Sequence, residues 1–205
     1  MDIENLSRYI SIWIKPEKTI QAIIHSPGRS TYVLSVFFAF YVAQKAFIEL
    51  MTKTYKGEFS ATVVLFSILV GITVATICIF GGGHLLAIIG RKLNGVGNHR
   101  EIRVSIVWSF VPLITAIPFM IPKILLLISS NIGIVELTLF RLLEAAIVFQ
   151  GVLVVLSIYS FGLLVRTLAV VHRYSKRKAL YTVMITAFVI GVTIIVFQYV
   201  ISLTV

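Results

Sequence analysis

Apolar residues in this 205-residue chain come in long runs, not in the short alternations of a soluble domain. The first run, 32–51, reads YVLSVFFAFYVAQKAFIELM, and the second, 59–90, passes 32 residues without Asp, Glu, Lys or Arg. Further runs cover 104–122, 145–165 and 179–203. A bilayer core of ~30 Å asks for about 20 consecutive apolar residues in a helix, so each run predicts one crossing. The expected fold is all-α: a polytopic membrane helix bundle with five transmembrane helices over about 32–51, 60–89, 104–122, 145–165 and 179–203. An unbroken helix over the second run would reach ~48 Å, so that run must tilt, project or break. Glycine lets helices approach closely and, with proline, interrupts them inside a bundle. Gly81, Gly82 and Gly83 therefore mark an expected break or close contact, and Ser109 with Pro112 marks another in the third run. The two features are expected to meet across a helical hairpin.

The stretch before the first run has a different pattern. Leu6, Tyr9, Ile10, Trp13 and Ile14 recur at helical spacing, with Arg8 and Lys15 on the flanks. Pro16 and Glu17 suit the first turn of a second short helix over 18–24, which His25-Ser26-Pro27-Gly28 ends. Basic, apolar helices with a tryptophan lie in the headgroup region. This pair is expected to anchor the N-terminus, to plug one side of the bundle, or to dock a partner. The chain thus divides into an amphipathic interfacial segment, 1–30, and a five-helix membrane domain, 31–205. A weaker interfacial pattern covers 135–144. Charged residues interrupt the first thirty positions, so no cleavable signal is expected and the first span inserts itself.

Composition agrees with the pattern: 59% of residues are hydrophobic and 13% charged, about half the usual charged share. The net charge of +10 gains meaning from its distribution. Thirteen of the eighteen Lys and Arg residues fall on one side of the predicted topology, in the N-terminal segment and the second and fourth connections. Cytoplasmic loops carry that excess, so the N-terminus is expected inside and the C-terminus outside, in a plasma or inner membrane. The charge then reflects topology and anionic headgroups, not nucleic acid. A single cysteine, Cys78, permits no internal disulfide.

Ionisable groups at membrane depth are costly and draw a functional reading by default. Lys45 and Glu49 stand four apart, and Arg141 and Glu144 three apart, each pair on one helix face. The four form an outward polar cluster that gates a cavity, or two self-neutralised pairs that snorkel to the interface. His84 sits in the second run and is expected to be buried. Its helical neighbours Phe80, Gly81, Ala87 and Ile88 hold no second ligand, which favours a packing role over metal binding or proton transfer. Gly90-Arg91-Lys92 is followed by Leu93 where a Walker loop needs Ser or Thr, and Gly95-Val96-Gly97 lacks the third Rossmann glycine. No catalytic, cofactor-binding or metal-binding residue is therefore expected. The leading reading is a non-enzymatic protein that binds anionic lipid or partners through Trp13, Lys15, Arg91, Lys92, Arg173, Lys176, Arg177 and Lys178. A small oligomeric transporter or channel is the alternative, and a hydrolase centred on His84 a third.

The order of motifs resembles one family. WIKPEKTIQAI before the first span, GRKLNGVGNHREIRVSIVWSFVP with its Ser-x-x-Pro element, and VHRYSKRKAL before the last span resemble the corresponding segments of the Yip domain. The resemblance covers 13–186 and implies five spans with a cytoplasmic N-terminus. Eukaryotic members associate with prenylated Rab GTPases and carry a long hydrophilic N-terminal region. Only about thirty residues precede the first span here, which points to the prokaryotic type. The tryptophan common in the family's fourth span is absent from AIVFQGVLVVLSIYSFGLL.

Overall fold

The structure, a computed structural model, describes residues 3–25, 30–53, 61–118 and 139–204. All regular elements among them are helical. Helices α1 (Ile3–Ile14) and α2 (Pro16–His25) precede α3 (Ser30–Lys53). Then α4 (Ala61–Thr76) runs through a π-helical turn (Ile77–Gly82) into α5 (Gly83–Lys92). Helices α6 (His99–Ser109) and α7 (Val111–Ile114) follow, and the chain ends with α8 (Leu139–His172) and α9 (Lys176–Thr204). Among the described residues, three helical stretches are long and apolar enough to cross a membrane: Thr31–Ile48, Ala61–Lys92 and Phe149–His172. The predicted third span falls on α6, α7 and residues beyond 118 that lie outside the described set; the predicted fifth falls on α9.

Small residues pair α3 with α4. The buried positions of α4 are Val63, Ser67, Gly71 and Ala75, each four after the last. A Cβ on Gly71 would lie 2.5 Å from the Ala43 Cβ and 2.7 Å from the Ala39 carbonyl oxygen. Backbones this close gain dispersion contacts that lipid cannot supply, which is how small residues join helices in a bilayer.

A step of four overshoots the 3.6-residue turn by ~40°, so such a stripe drifts around a straight α-helix. A π turn takes more residues per turn and rotates the stripe back. Buried Ile79, Gly83 and Ala87 then continue the facing side across the junction. From Ala61 to Lys92 the second run is therefore one continuous helix, not a broken one. Gly82 has nothing within 4 Å of its would-be Cβ, and Gly81 only Ile77 at 3.8 Å. Gly83 alone makes the expected close contact, and it meets Arg103 and Ile106 of α6, not Pro112.

Helix α6 forms the centre. Ile102 and Val104 to Ser109 are all buried, among α3, α5 and α8. Pro112 cannot donate to the Trp108 carbonyl, and its ring crowds that position, so α6 stops at Ser109. Phe110 N–H turns back to the Val107 carbonyl at 3.3 Å, and Ser109 Oγ donates to the Ile106 carbonyl at 2.6 Å. Helix α6 thus ends at Ser109 and α7 begins at Val111, one residue before Pro112.

The N-terminal helices join the same core. Ile12, Ile20 and Ile23 are fully buried with Trp108, Val107 and Phe38. Trp108 stacks on Tyr9 at 5.3 Å and donates its Nε1–H to Thr31 Oγ1 at 3.2 Å. Trp13 stacks on Tyr159 of α8 at 5.2 Å, and the Tyr159 hydroxyl donates to the Trp13 carbonyl. Trp13 is therefore a packing residue of the bundle, half-buried where a headgroup contact was expected. Exposed Ile10 and Ile14 form the opposite face of α1.

Candidate functional site

The two basic connections near α5 and α8 end in the same way. After α5, Asn94 N–H donates to the Arg91 carbonyl at 3.0 Å and Gly95 N–H to the Gly90 carbonyl at 2.8 Å. After α8, Arg173 N–H donates to the Val170 carbonyl and Tyr174 N–H to the Ala169 carbonyl, both at 3.2 Å. These are paired Schellman closures, which satisfy the last carbonyls of each helix and need a left-handed residue between the two donors. Asn94 (φ 67°) and Arg173 (φ 54°) supply it. Asparagine tolerates that region, whereas arginine pays about 1–2 kcal/mol for it.

The two closures are bolted together through His172. Its ring is sheathed by three glycines of the facing turn. A Cβ on Gly90 would stand 2.4 Å from His172 Cε1 and Nε2, and one on Gly95 2.3 Å from Nδ1. On Gly97 it would reach 2.8 Å from Val171 Cγ1 and 3.0 Å from Nδ1. The backbone then grips what it surrounds: Gly97 N–H donates to Nδ1 and Val96 N–H to the His172 carbonyl, each at 3.2 Å. Nδ1 is thus an acceptor, and the ring proton of the neutral tautomer sits on the buried Nε2. Tyr174 stacks on the ring at 5.0 Å and anchors to Thr182 of α9 at 2.8 Å.

Further contacts bring in the remaining basic segments. Lys178 Nζ donates to the Leu93 carbonyl at 3.4 Å, and Lys176 pairs with Glu17 of α2 at 2.6 Å. Lys18, His25 and Arg173 share a cleft of about 570 Å³ with Glu101. Lys15, Lys18, Arg91, Lys92, Arg100, Arg173, Lys176, Arg177 and Lys178 are all exposed. Three segments far apart in sequence thus form one basic end of the bundle.

His84 differs from expectation: it is exposed and stacks on His99 at 4.9 Å. His99 also contacts the Arg91 guanidinium. Partial desolvation, then the charges of Arg91, His84 and Arg103, hold the His99 ring below the usual imidazole range. Among the described residues no hydrogen bond joins His84 to an acid or nucleophile, and no three His, Cys, Asp or Glu side chains gather as metal ligands. The predicted connections also shorten. Arg166 lies within α8, and Arg100 and Arg103 within α6, because buried Leu168, Ala169 and Ile102 extend these helices against α5. Of the outward polar cluster, Lys45 is half-buried on α3; the side chains of Glu49, Arg141 and Glu144 lie outside the described residues.

The His172 socket was missed in the sequence, though the signal was present. Three glycines spaced Gly90, Gly95 and Gly97 imply a bulky side chain pressed on the turn, and a histidine ends the other basic connection. A family model for the Yip1 domain matches residues 10–197. No curated protein and no solved structure gives a significant match.

Proposed function

The chain belongs to the Yip1 domain family, and from that premise we propose that it is a non-enzymatic multi-pass protein of the plasma or inner membrane that binds anionic lipid through its basic end. In this reading five helices cross the bilayer, the basic end faces the cytoplasm, and the C-terminus lies outside. The bound surface organises membrane, with further copies or other membrane proteins as partners.

One observation carries the reading: the basic segments converge on one surface through the His172 socket and the Lys176–Glu17 and Lys178–Leu93 contacts. Dispersed loop charges would reflect topology alone. Locked together they present a field to headgroups, each Lys or Arg near the surface contributing about 1 kcal/mol.

Full-length protein in neutral nanodiscs, mixed with phosphatidylglycerol vesicles and floated, tests this. Capture is expected to exceed that by phosphatidylcholine vesicles and to weaken with salt, as screening demands. Replacing Arg173, Lys176, Arg177 and Lys178 by Gln should lower affinity by roughly a hundredfold or more, at about fivefold per charge. Equal capture by neutral and anionic vesicles would reject the reading.

A further inference from the structure

A second feature of the basic end is a groove of about 700 Å³ between α3 and the helix formed by α4 and its π turn. That volume lies within the range of small-molecule sites. Val36, Ala39, Ile72, Ala75 and Ile79 form its length, and Arg100 and Arg103 stand at one end. Two of its hydroxyls, on α3 and at the end of α4, bond within their own helices. Ser35 Oγ donates to the Thr31 carbonyl at 2.9 Å and Thr76 Oγ1 to the Ile72 carbonyl at 2.8 Å. The walls therefore suit hydrocarbon.

Arg103 is held by packing as well as by polar contacts. The stem of Arg103 fills the place where Gly83 lacks a Cβ, with Cγ 3.0 Å from that position. Its Nε donates to the His99 carbonyl at 3.3 Å, and its guanidinium lies 4.8 Å over the Phe80 ring. Phe80 belongs to the π turn and also lines the groove. Arg100, three residues earlier, shares that helix face. Among the described residues neither arginine makes an ion pair, while the intervening Glu101 faces the Asn98 N–H at 3.4 Å.

An occupant must be apolar along its length and anionic at one end. We propose that this groove holds one anionic phospholipid, its acyl chain along α3 and α4 and its phosphate on Arg100 and Arg103. A second copy of the chain fits poorly, since it carries eight acidic residues against eighteen basic. The proposal rests on the basic end facing a lipid leaflet, but not on vesicle capture by the outer charges.

Native mass spectrometry of the full chain in nonionic detergent, given equal amounts of phosphatidylglycerol and phosphatidylcholine with the same acyl chains, tests it. One phosphatidylglycerol per protein is expected, preferred by about tenfold over phosphatidylcholine, because guanidinium pairs strongly with an anionic headgroup. Arg100→Gln with Arg103→Gln should abolish the preference. Val36→Trp, at a position 70% exposed on the groove wall, should lower retention of both lipids while sparing the core. Arg177→Gln with Lys178→Gln should keep the retained lipid while weakening vesicle capture, which separates this proposal from the broader one. Equal retention of the two lipids by the unmodified chain, or a preference that survives loss of both arginines, would overturn it.

Discussion

His172 shows how a side chain can dictate the composition of a loop distant in sequence. Its ring occupies the space that any Cβ on Gly90 or Gly95 would need. Gly90→Ala, whose Cβ would have ring atoms as its three nearest contacts, is expected to cost about 1–3 kcal/mol, the usual penalty for overpacking a tight site. Thermal unfolding in detergent measures it. In a His172→Ala background most of that cost should vanish, because the clashing ring has gone; strict additivity of the two changes would contradict the socket. A second residue-scale expectation concerns His99, whose folded pKa lies below the usual value, first through desolvation and then through Arg91. Between the folded and unfolded pKa the unfolded chain binds more protons, so stability falls as pH drops through about 6.5. The unfolding midpoint should therefore decrease between about pH 8 and about pH 5.5, and less steeply in His99→Gln.

At the scale of elements, the π turn and the paired helix ends do what a helix break was expected to do. Four-residue spacing of small side chains along α4 pulls the stripe off its face, and the turn at Ile77–Gly82 restores it. Gly82 has no crowding neighbour, so Gly82→Ala should stabilise the helix by about 0.5–1 kcal/mol through propensity alone. A loss of stability would show that the turn requires that glycine. Arg173→Gly, at a left-handed position, should relieve about 1 kcal/mol of backbone strain, also read by thermal unfolding. These elements were partly legible in the sequence. Apolar runs and Pro112 placed the helices and the end of α6, because burial and a missing N–H act locally. A π turn and a socket depend on which helix lies opposite, and no local pattern carries that. For the same reason the three glycines at 81–83 read as one unit, although only Gly83 touches a neighbour. His84, set in an apolar run, read as buried while it stacks openly on His99.

For the whole molecule, charge asymmetry along the chain becomes a single basic end once the helices pack. The excess of Lys and Arg was readable from sequence, but its assembly depends on Gly97, His172, Lys176 and Lys178 meeting across helices. The central claim is that this assembly, and not the number of charges, makes the binding surface. Gly90→Leu tests it most directly, since it leaves every charge in place and wedges the socket apart. Capture of phosphatidylglycerol vesicles by full-length protein in neutral nanodiscs should fall about tenfold or more in Gly90→Leu, as several charges at about 1 kcal/mol each leave the common surface. It should recover when His172→Ala is added. Undiminished capture by folded Gly90→Leu protein would contradict the account and leave the basic residues acting as independent loop charges.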